Sequence, residues 1–271
     1  MGEEVKHRPI GVYDSGVGGL TVVRWLHRVL PQEQIVYFGD TARVPYGGRS
    51  RHELVEFSRQ IVGFFQEQGV KFVIAACNTS SALALPVVAQ EVDVPLMGVI
   101  GAGAREAVSV TKTKKIGVIG TQATVTSGAY ARAVKELEPV TNVYEQACPE
   151  LVPLIEGGHR DGEIVEKPLK RYLEPLLERN IDTLILGCTH YPYLLVPIKR
   201  LVGTGVEIVD PAEAAAREAR DTLEVLGLLS EEKVGEDLFF VSGEPGTFRA
   251  AAVQLGYTQR VEHVEIERYT I

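Results

Sequence analysis

The chain has 271 residues, 45% of them apolar and 24% charged, with a formal net charge of −8. That composition is globular, with room for one large or two ordinary domains, and the acidic balance argues against nucleic acid or an anionic membrane as main partner. Three cysteines make no disulfide framework, and no stretch reads as a signal peptide or membrane span, so a cytoplasmic protein with reduced thiols is expected.

Short β-prone apolar runs alternate with longer helix-compatible stretches, the pattern of an α/β protein with parallel sheets. A strand is expected at Ile10–Tyr13, followed directly by Asp14-Ser15-Gly16-Val17-Gly18-Gly19. Asp40, at the end of a second strand at Gln34–Phe38, makes a dinucleotide site tempting. The glycines do not fit G-x-G-x-x-G, however, and no Lys completes a phosphate loop. The turn therefore reads as a small-molecule site: glycine for close backbone approach, Ser15 for a hydrogen bond, and Asp14 as partner of a substrate ammonium or a thiol. Arg43-Val44-Pro45-Tyr46-Gly47-Gly48-Arg49 reads first as a turn before a helix at Ser50–Gln68. Its position after a strand also makes it a candidate cleft wall, with N–H donors at the glycines.

A strand at Phe72–Ala75 leads into Ala76-Cys77-Asn78-Thr79 and a helix at Thr79–Glu91, with a further strand at Leu96–Val99. The next strand, Lys115–Ile119, runs into the Ser/Thr-rich turn Thr121–Thr126, which includes Thr124. After a strand at Val143–Gln146, Cys148 before Pro149 reads as a small buried hydrophobe. Glu156-Gly157-Gly158 ends a helix, leaving Glu156 either a solvated helix-end acid or a second carboxylate at the cleft. A helix at Glu163–Arg179 precedes a strand at Thr183–Leu186 and then Gly187-Cys188-Thr189-His190. Strands at Glu207–Val209 and Leu238–Val241, with helices at Ala212–Leu226 and beyond, complete the chain.

Cys77 and Cys188, 111 positions apart, each follow a β-prone run ending in a small residue and precede a proline nine positions on. Ile10-Gly11-Val12-Tyr13 and Ile116-Gly117-Val118-Ile119 repeat at a spacing of 106. The chain thus reads as a duplication. Two similar domains are expected, each a mainly parallel sheet flanked by helices and related by a pseudo-two-fold: residues 1–98 with 210–271, carrying Cys77, and residues 99–209, carrying Cys188. Thiols at the C-terminal ends of strands, just before helices, sit where open α/β sheets bind ligands, and the helix dipole lowers their pKa from about 8.5. His190, two residues after Cys188, is close enough to exchange a proton with that thiol. A zinc site built on Cys77, Cys188 and His190 has only a weak Cys-x-His spacing behind it, and a redox pair lacks C-x-x-C. A two-lobed amino-acid or anion binding protein would have no need of two matched thiols. Proton removal from one face of a carbon and return to the other does need them.

Four segments in order, Asp14-Ser15-Gly16-x-Gly18-Gly19, Pro45-Tyr46-Gly47, Ala76-Cys77-Asn78-Thr79 and Gly187-Cys188-Thr189-His190, together resemble the glutamate racemases across nearly the whole chain. They are similar, more distantly, to aspartate and hydantoin racemases. The resemblance implies a cofactor-independent isomerase, without metal, that supplies D-glutamate for peptidoglycan from a site between the domains. It implies that Cys77 deprotonates D-glutamate and Cys188 L-glutamate, with Asp14 assisting Cys77, His190 assisting Cys188, and Glu156 contributing. Substrate binding then falls on Asp14, Ser15, Tyr46, Gly47, Asn78, Thr79, Thr121, Thr124, Thr189 and His190. It also implies a homodimer. Some relatives carry an N-terminal extension tied to activation by a cell-wall precursor, and with nine residues before the first strand that activation is not expected here. An aspartate or related acidic amino-acid racemase is the alternative.

Overall fold

The computed structural model describes residues 2–271. They divide into two compact units, one the chain up to Val99 together with Ala215–Ile271, the other Ile100–Ala214. Strands β1 (Ile10–Asp14), β2 (Ile35–Gly39), β3 (Phe72–Ala75) and β4 (Leu96–Gly98) belong to the first unit, and β5 (Lys115–Gly120), β6 (Asn142–Ala147), β7 (Thr183–Gly187) and β8 (Glu207–Val209) to the second. The chain returns to the first unit within the helix Pro211–Val225 and there adds β9 (Leu238–Val241) and β10 (Val261–His263).

Every strand pairing is parallel. The first sheet runs β10-β9-β2-β1-β3-β4 and the second β6-β5-β7-β8. β1, β2 and β3 are buried along their whole length, as expected for parallel strands covered on both faces. One face of the first sheet packs Phe38, Val73 and Tyr13 against Leu54, Ile61, Phe64 and Phe65. These last four lie on the helix Arg51–Glu67, which starts with a reciprocal capping box between Ser50 and Glu53, two orphan N–H groups being satisfied together. In the second unit, Leu169, Leu173 and Leu176 of the helix Glu163–Leu177 pack with Ile119, Leu184 and Leu186.

Four consecutive strands of the first sheet, β2-β1-β3-β4, have the same order as β6-β5-β7-β8. Register makes the correspondence residue by residue. Ile10 pairs with Ile35 and Phe72, while Ile116 pairs with Val143 and Thr183. Asp14 therefore corresponds to Gly120, Tyr37 to Glu145, Asp40 to Cys148, Cys77 to Cys188 and Thr79 to His190.

Three expectations are corrected. The helix expected at Thr79–Glu91 is two pieces, Asn78–Leu83 and Leu85–Val88, because Pro86 has no N–H to return to the preceding turn. Cys188 does not stand directly before an α-helix: a 3-10 turn over Tyr191–Leu194 comes first, and the α-helix Leu195–Val202 follows it. β10 gave no signal, since only Val261 of its three residues is apolar.

Candidate functional site

In the first unit, Asp14 is the last residue of β1 and is fully buried. Its Oδ2 accepts the Gly16 N–H at 3.0 Å, which turns the chain back over the strand end. Ser15 is half-buried at the tip of that turn. The Gly16 carbonyl in turn accepts the Tyr37 hydroxyl at 2.6 Å. Gly19 is required by space rather than by dihedral angle: a Cβ there would lie 2.5 Å from Asp14 Cβ and 2.7 Å from the Tyr37 oxygen. Cys77, almost fully buried, is the N-cap residue of the helix Asn78–Leu83. Asn78 and Thr79 follow it and are buried as well. Ser81 donates to the Ala75 carbonyl at 2.8 Å and so ties that short helix to the end of β3.

The Pro45-Tyr46-Gly47 loop is held from beneath. The buried Asp40 carboxylate accepts Arg43 Nε at 2.9 and 2.8 Å, the Ser242 hydroxyl at 2.6 Å, and the Tyr46 hydroxyl. Burial, reinforced by Asp40, drives the Tyr46 phenol well above its ordinary pKa. Tyr46 thus spends its hydroxyl inside the fold, and what this loop offers a ligand is Gly47 and the backbone around it. The Val44–Pro45 peptide bond is cis.

In the second unit, Cys188 directly follows β7, with its Sγ 3.9 Å from Nδ1 of His190. His190 is buried, and its Nε2 lies 3.2 Å from Oε1 of Glu156, whose side chain is 50% exposed. Glu156 ends the helix Leu151–Glu156, where Gly157 and Gly158, the latter at φ +84°, turn the chain away. A carboxylate, an imidazole and a thiol therefore stand in sequence from surface to interior. Thr189 is buried beside them. Thr121 caps the helix Gln122–Ser127 by accepting the Thr124 N–H at 3.3 Å, and the two threonine hydroxyls lie 3.0 Å apart. Behind the thiol, the Tyr191 hydroxyl donates to the Cys148 carbonyl at 3.3 Å. Burial pushes the thiol of Cys148 far up, with Cys188 adding to the effect, so Cys148 stays protonated.

Each unit thus has a buried cysteine at the register-equivalent strand end, with polar neighbours. The ionisable residues at these strand ends differ: Asp14 corresponds to Gly120, and His190 to Thr79. Sequence reading missed Tyr37 and Ser242, whose partners Gly16 and Asp40 lie 21 and 202 positions away in the chain. Among the described residues, no three His, Cys, Asp or Glu side chains are grouped to hold a metal ion, and no helix is long and apolar enough to cross a membrane.

Residues 20–219 match the Asp/Glu/Hydantoin racemase family. The chain is 50% identical over 261 residues to the glutamate racemase of Microcystis aeruginosa, covering 96% of this chain and 92% of that one. The crystal structure of a glutamate racemase isoform from Bacillus anthracis is 42% identical and superposes with a TM-score of 0.93, over 96% of this chain and 98% of that one. A glutamate racemase from Francisella tularensis, solved in complex with D-glutamate, is 38% identical with a TM-score of 0.91, over 97% of this chain and 100% of that one. The chain belongs to the Asp/Glu/hydantoin racemase family and is an enzyme of it, an amino-acid racemase.

Proposed function

We propose that this racemase interconverts L- and D-glutamate without a cofactor, by proton transfer between the substrate and two cysteines. The observation that carries the proposal is the equivalence in register of Cys77 and Cys188, each buried at a strand end, with His190 at 3.9 Å from the Cys188 sulfur. The 50% identity to a glutamate racemase supports glutamate over aspartate as substrate.

The α-proton of an amino acid is a very weak acid, so charge that develops on the α-carbon needs stabilisation as it forms. Fixed dipoles aimed at the substrate carboxylates are the means available: Ser15, Asn78, Thr79, Thr121, Thr124, Thr189 and backbone N–H groups, including those near Tyr46 and Gly47. In the D-to-L direction, the Cys77 thiolate takes the α-proton and the Cys188 thiol gives its own proton to the opposite face. The enzyme is left with a Cys77 thiol and a Cys188 thiolate, the form that performs the reverse reaction. Asp14 serves Cys77. His190 serves Cys188 across the 3.9 Å contact, and Glu156 orients the imidazole from its other nitrogen. General acid–base groups of this kind each contribute about 10²–10⁴-fold. The proposal includes a homodimer that works in the cytoplasm and supplies D-glutamate for peptidoglycan.

The test is to incubate chelator-treated protein with L-glutamate in D2O, following optical rotation and α-proton loss together. Racemisation with deuterium incorporation, abolished in both Cys77→Ser and Cys188→Ser, supports the proposal. Turnover of aspartate alone transfers the mechanism to that substrate, and a serine variant with wild-type rates overturns it.

A further inference from the structure

Tyr37 is a fully buried residue that the reaction does not use directly, yet it sits under the loop that carries Asp14. Its hydroxyl donates to the Gly16 carbonyl at 2.6 Å, while the Gly16 N–H is bound to the Asp14 carboxylate at 3.0 Å. One peptide residue therefore connects the phenol to the carboxylate. Gly39, two positions along β2 and so on the same face, completes the seat. A Cβ at Gly39 would lie 3.2 Å from the Gly16 oxygen and 3.1 Å from the Phe248 ring, so glycine admits the loop where a side chain would lift it off. The ring of Tyr37 is itself held, with Phe239 at 5.6 Å and Phe248 at 5.8 Å between centroids. Both aromatics come from the part of the chain that returns after the second unit. At the equivalent position, the second unit carries Glu145 in place of a tyrosine, and there the strand preceding the turn ends in Gly120 rather than an acid. A phenol under the turn thus goes with a carboxylate on the turn.

We propose that Tyr37, braced by Phe239 and Phe248, is a positioning residue that holds the Asp14 loop through the Gly16 carbonyl and so sets the carboxylate for service to Cys77. This rests on the assignment of Asp14 to Cys77 made above. It concerns one proton transfer out of two, which gives it a signature that general destabilisation lacks.

Because the substrates are mirror images, their equilibrium constant is one and kcat/KM must fall equally in both directions. The asymmetry appears in isotope effects. If Tyr37→Phe slows the Cys77 step, the deuterium effect on kcat/KM rises for D-glutamate labelled at Cα, because abstraction by Cys77 becomes more limiting. The effect falls for labelled L-glutamate, whose abstraction by Cys188 then precedes the slow step. We expect that pattern together with a loss in kcat/KM of roughly tenfold, the scale set by sub-ångström misplacement of an acting group. Phe248→Leu, which loosens the ring and leaves the hydroxyl, should show the same pattern at smaller amplitude, and it decides the matter if Tyr37→Phe does not fold. Unchanged kinetics, or a loss with both isotope effects moving alike, overturns the positioning role while inactive Cys77→Ser leaves the two-cysteine reading standing. Wild-type rates in Cys77→Ser overturn that reading and this proposal with it.

Discussion

Replacing Gly19 by alanine drives a methyl carbon into occupied space. The ideal Cβ would lie 2.5 Å from Asp14 Cβ, 2.7 Å from the Tyr37 oxygen and 3.2 Å from Asp14 Cγ. Non-bonded carbons rest at about 3.5–4.0 Å, so the loop and the end of β1 must separate by about 1 Å. Neither neighbour can swing away, since Asp14 and Tyr37 are both fully buried. Overpacking of this kind costs about 1–3 kcal/mol, which corresponds to a fall of roughly 5–10 °C in Tm for a unit of this size at about 2.5 kcal/mol. A 1 Å displacement of an acting carboxylate costs about 10²-fold in turnover. Thermal melting and polarimetric assay of the same preparation read both numbers. Gly16→Ala is the internal control for stability: its Cβ would meet nothing nearer than Val44 Cγ1 at 3.8 Å, and its Tm should stay near wild type. A Gly19→Ala enzyme with unchanged Tm and unchanged turnover would refute the account of this loop.

Two further predictions concern stability. Lys71 and Glu33 form a 2.6 Å ion pair with side chains 0% and 1% exposed, and Ser230 bonds to both. Lys71→Met alone should cost about 3–5 kcal/mol by stranding Glu33, and adding Glu33→Leu should recover most of the loss. Urea denaturation of the three variants checks this, and additive losses would count against it. Burial pushes the Glu145 carboxyl from 4.5 up to about 7, against a smaller opposing pull from Arg132. The folded state therefore holds a proton that the unfolded state has released, and stability declines as pH rises from about 4.5 to 7. The shift sets an upper bound of about 3 kcal/mol, which solvent screening of this half-buried group reduces to about 1 kcal/mol. Glu145→Gln should gain about that much at pH 8 and nothing at pH 4, and an equal gain at both would show that charge is not the cause.

The strands were legible because burial on both faces demands continuous apolar runs: Ile35–Gly39 and Thr183–Gly187 are buried at every position, and such runs stand out against turns rich in glycine. β10 was not legible, since an edge strand with one apolar residue has no such pattern. The position of Cys77 at a helix start could be read locally. That of Cys188 could not, because the choice between an α-helix and a 3-10 turn after His190 is made by packing. Pairings across long separations were invisible in principle. Ser242 reaches Asp40 across 202 positions, and no local pattern encodes that register. Glu156 was ambiguous for the same reason: a helix-end acid before two glycines looks solvated until the chain brings it 3.2 Å from His190.

The two thiols are matched in register while the residues around them are not, and this makes His190→Asn a sharp experiment on the proposed mechanism. At the position of His190 the first unit has Thr79, and at the position of Asp14 the second has Gly120. On the proposed mechanism, proton transfer at Cys188 depends on an imidazole that has no counterpart at the equivalent position of the first unit. Asparagine keeps a hydrogen-bonding group at the 3.9 Å contact with Sγ but cannot carry a proton between them, so the Cys188 step should slow by about 10²–10⁴-fold, the usual worth of a general acid–base group. The isotope effect should then rise with Cα-deuterated L-glutamate and fall with the D-enantiomer, the reverse of the pattern expected for Tyr37→Phe. Glu156→Gln should move in the same sense as His190→Asn but by less, because its half-exposed carboxylate acts only through the imidazole. If His190→Asn raised both isotope effects alike, the imidazole would not be tied to Cys188, and the asymmetry of the helpers would have to be read as structural.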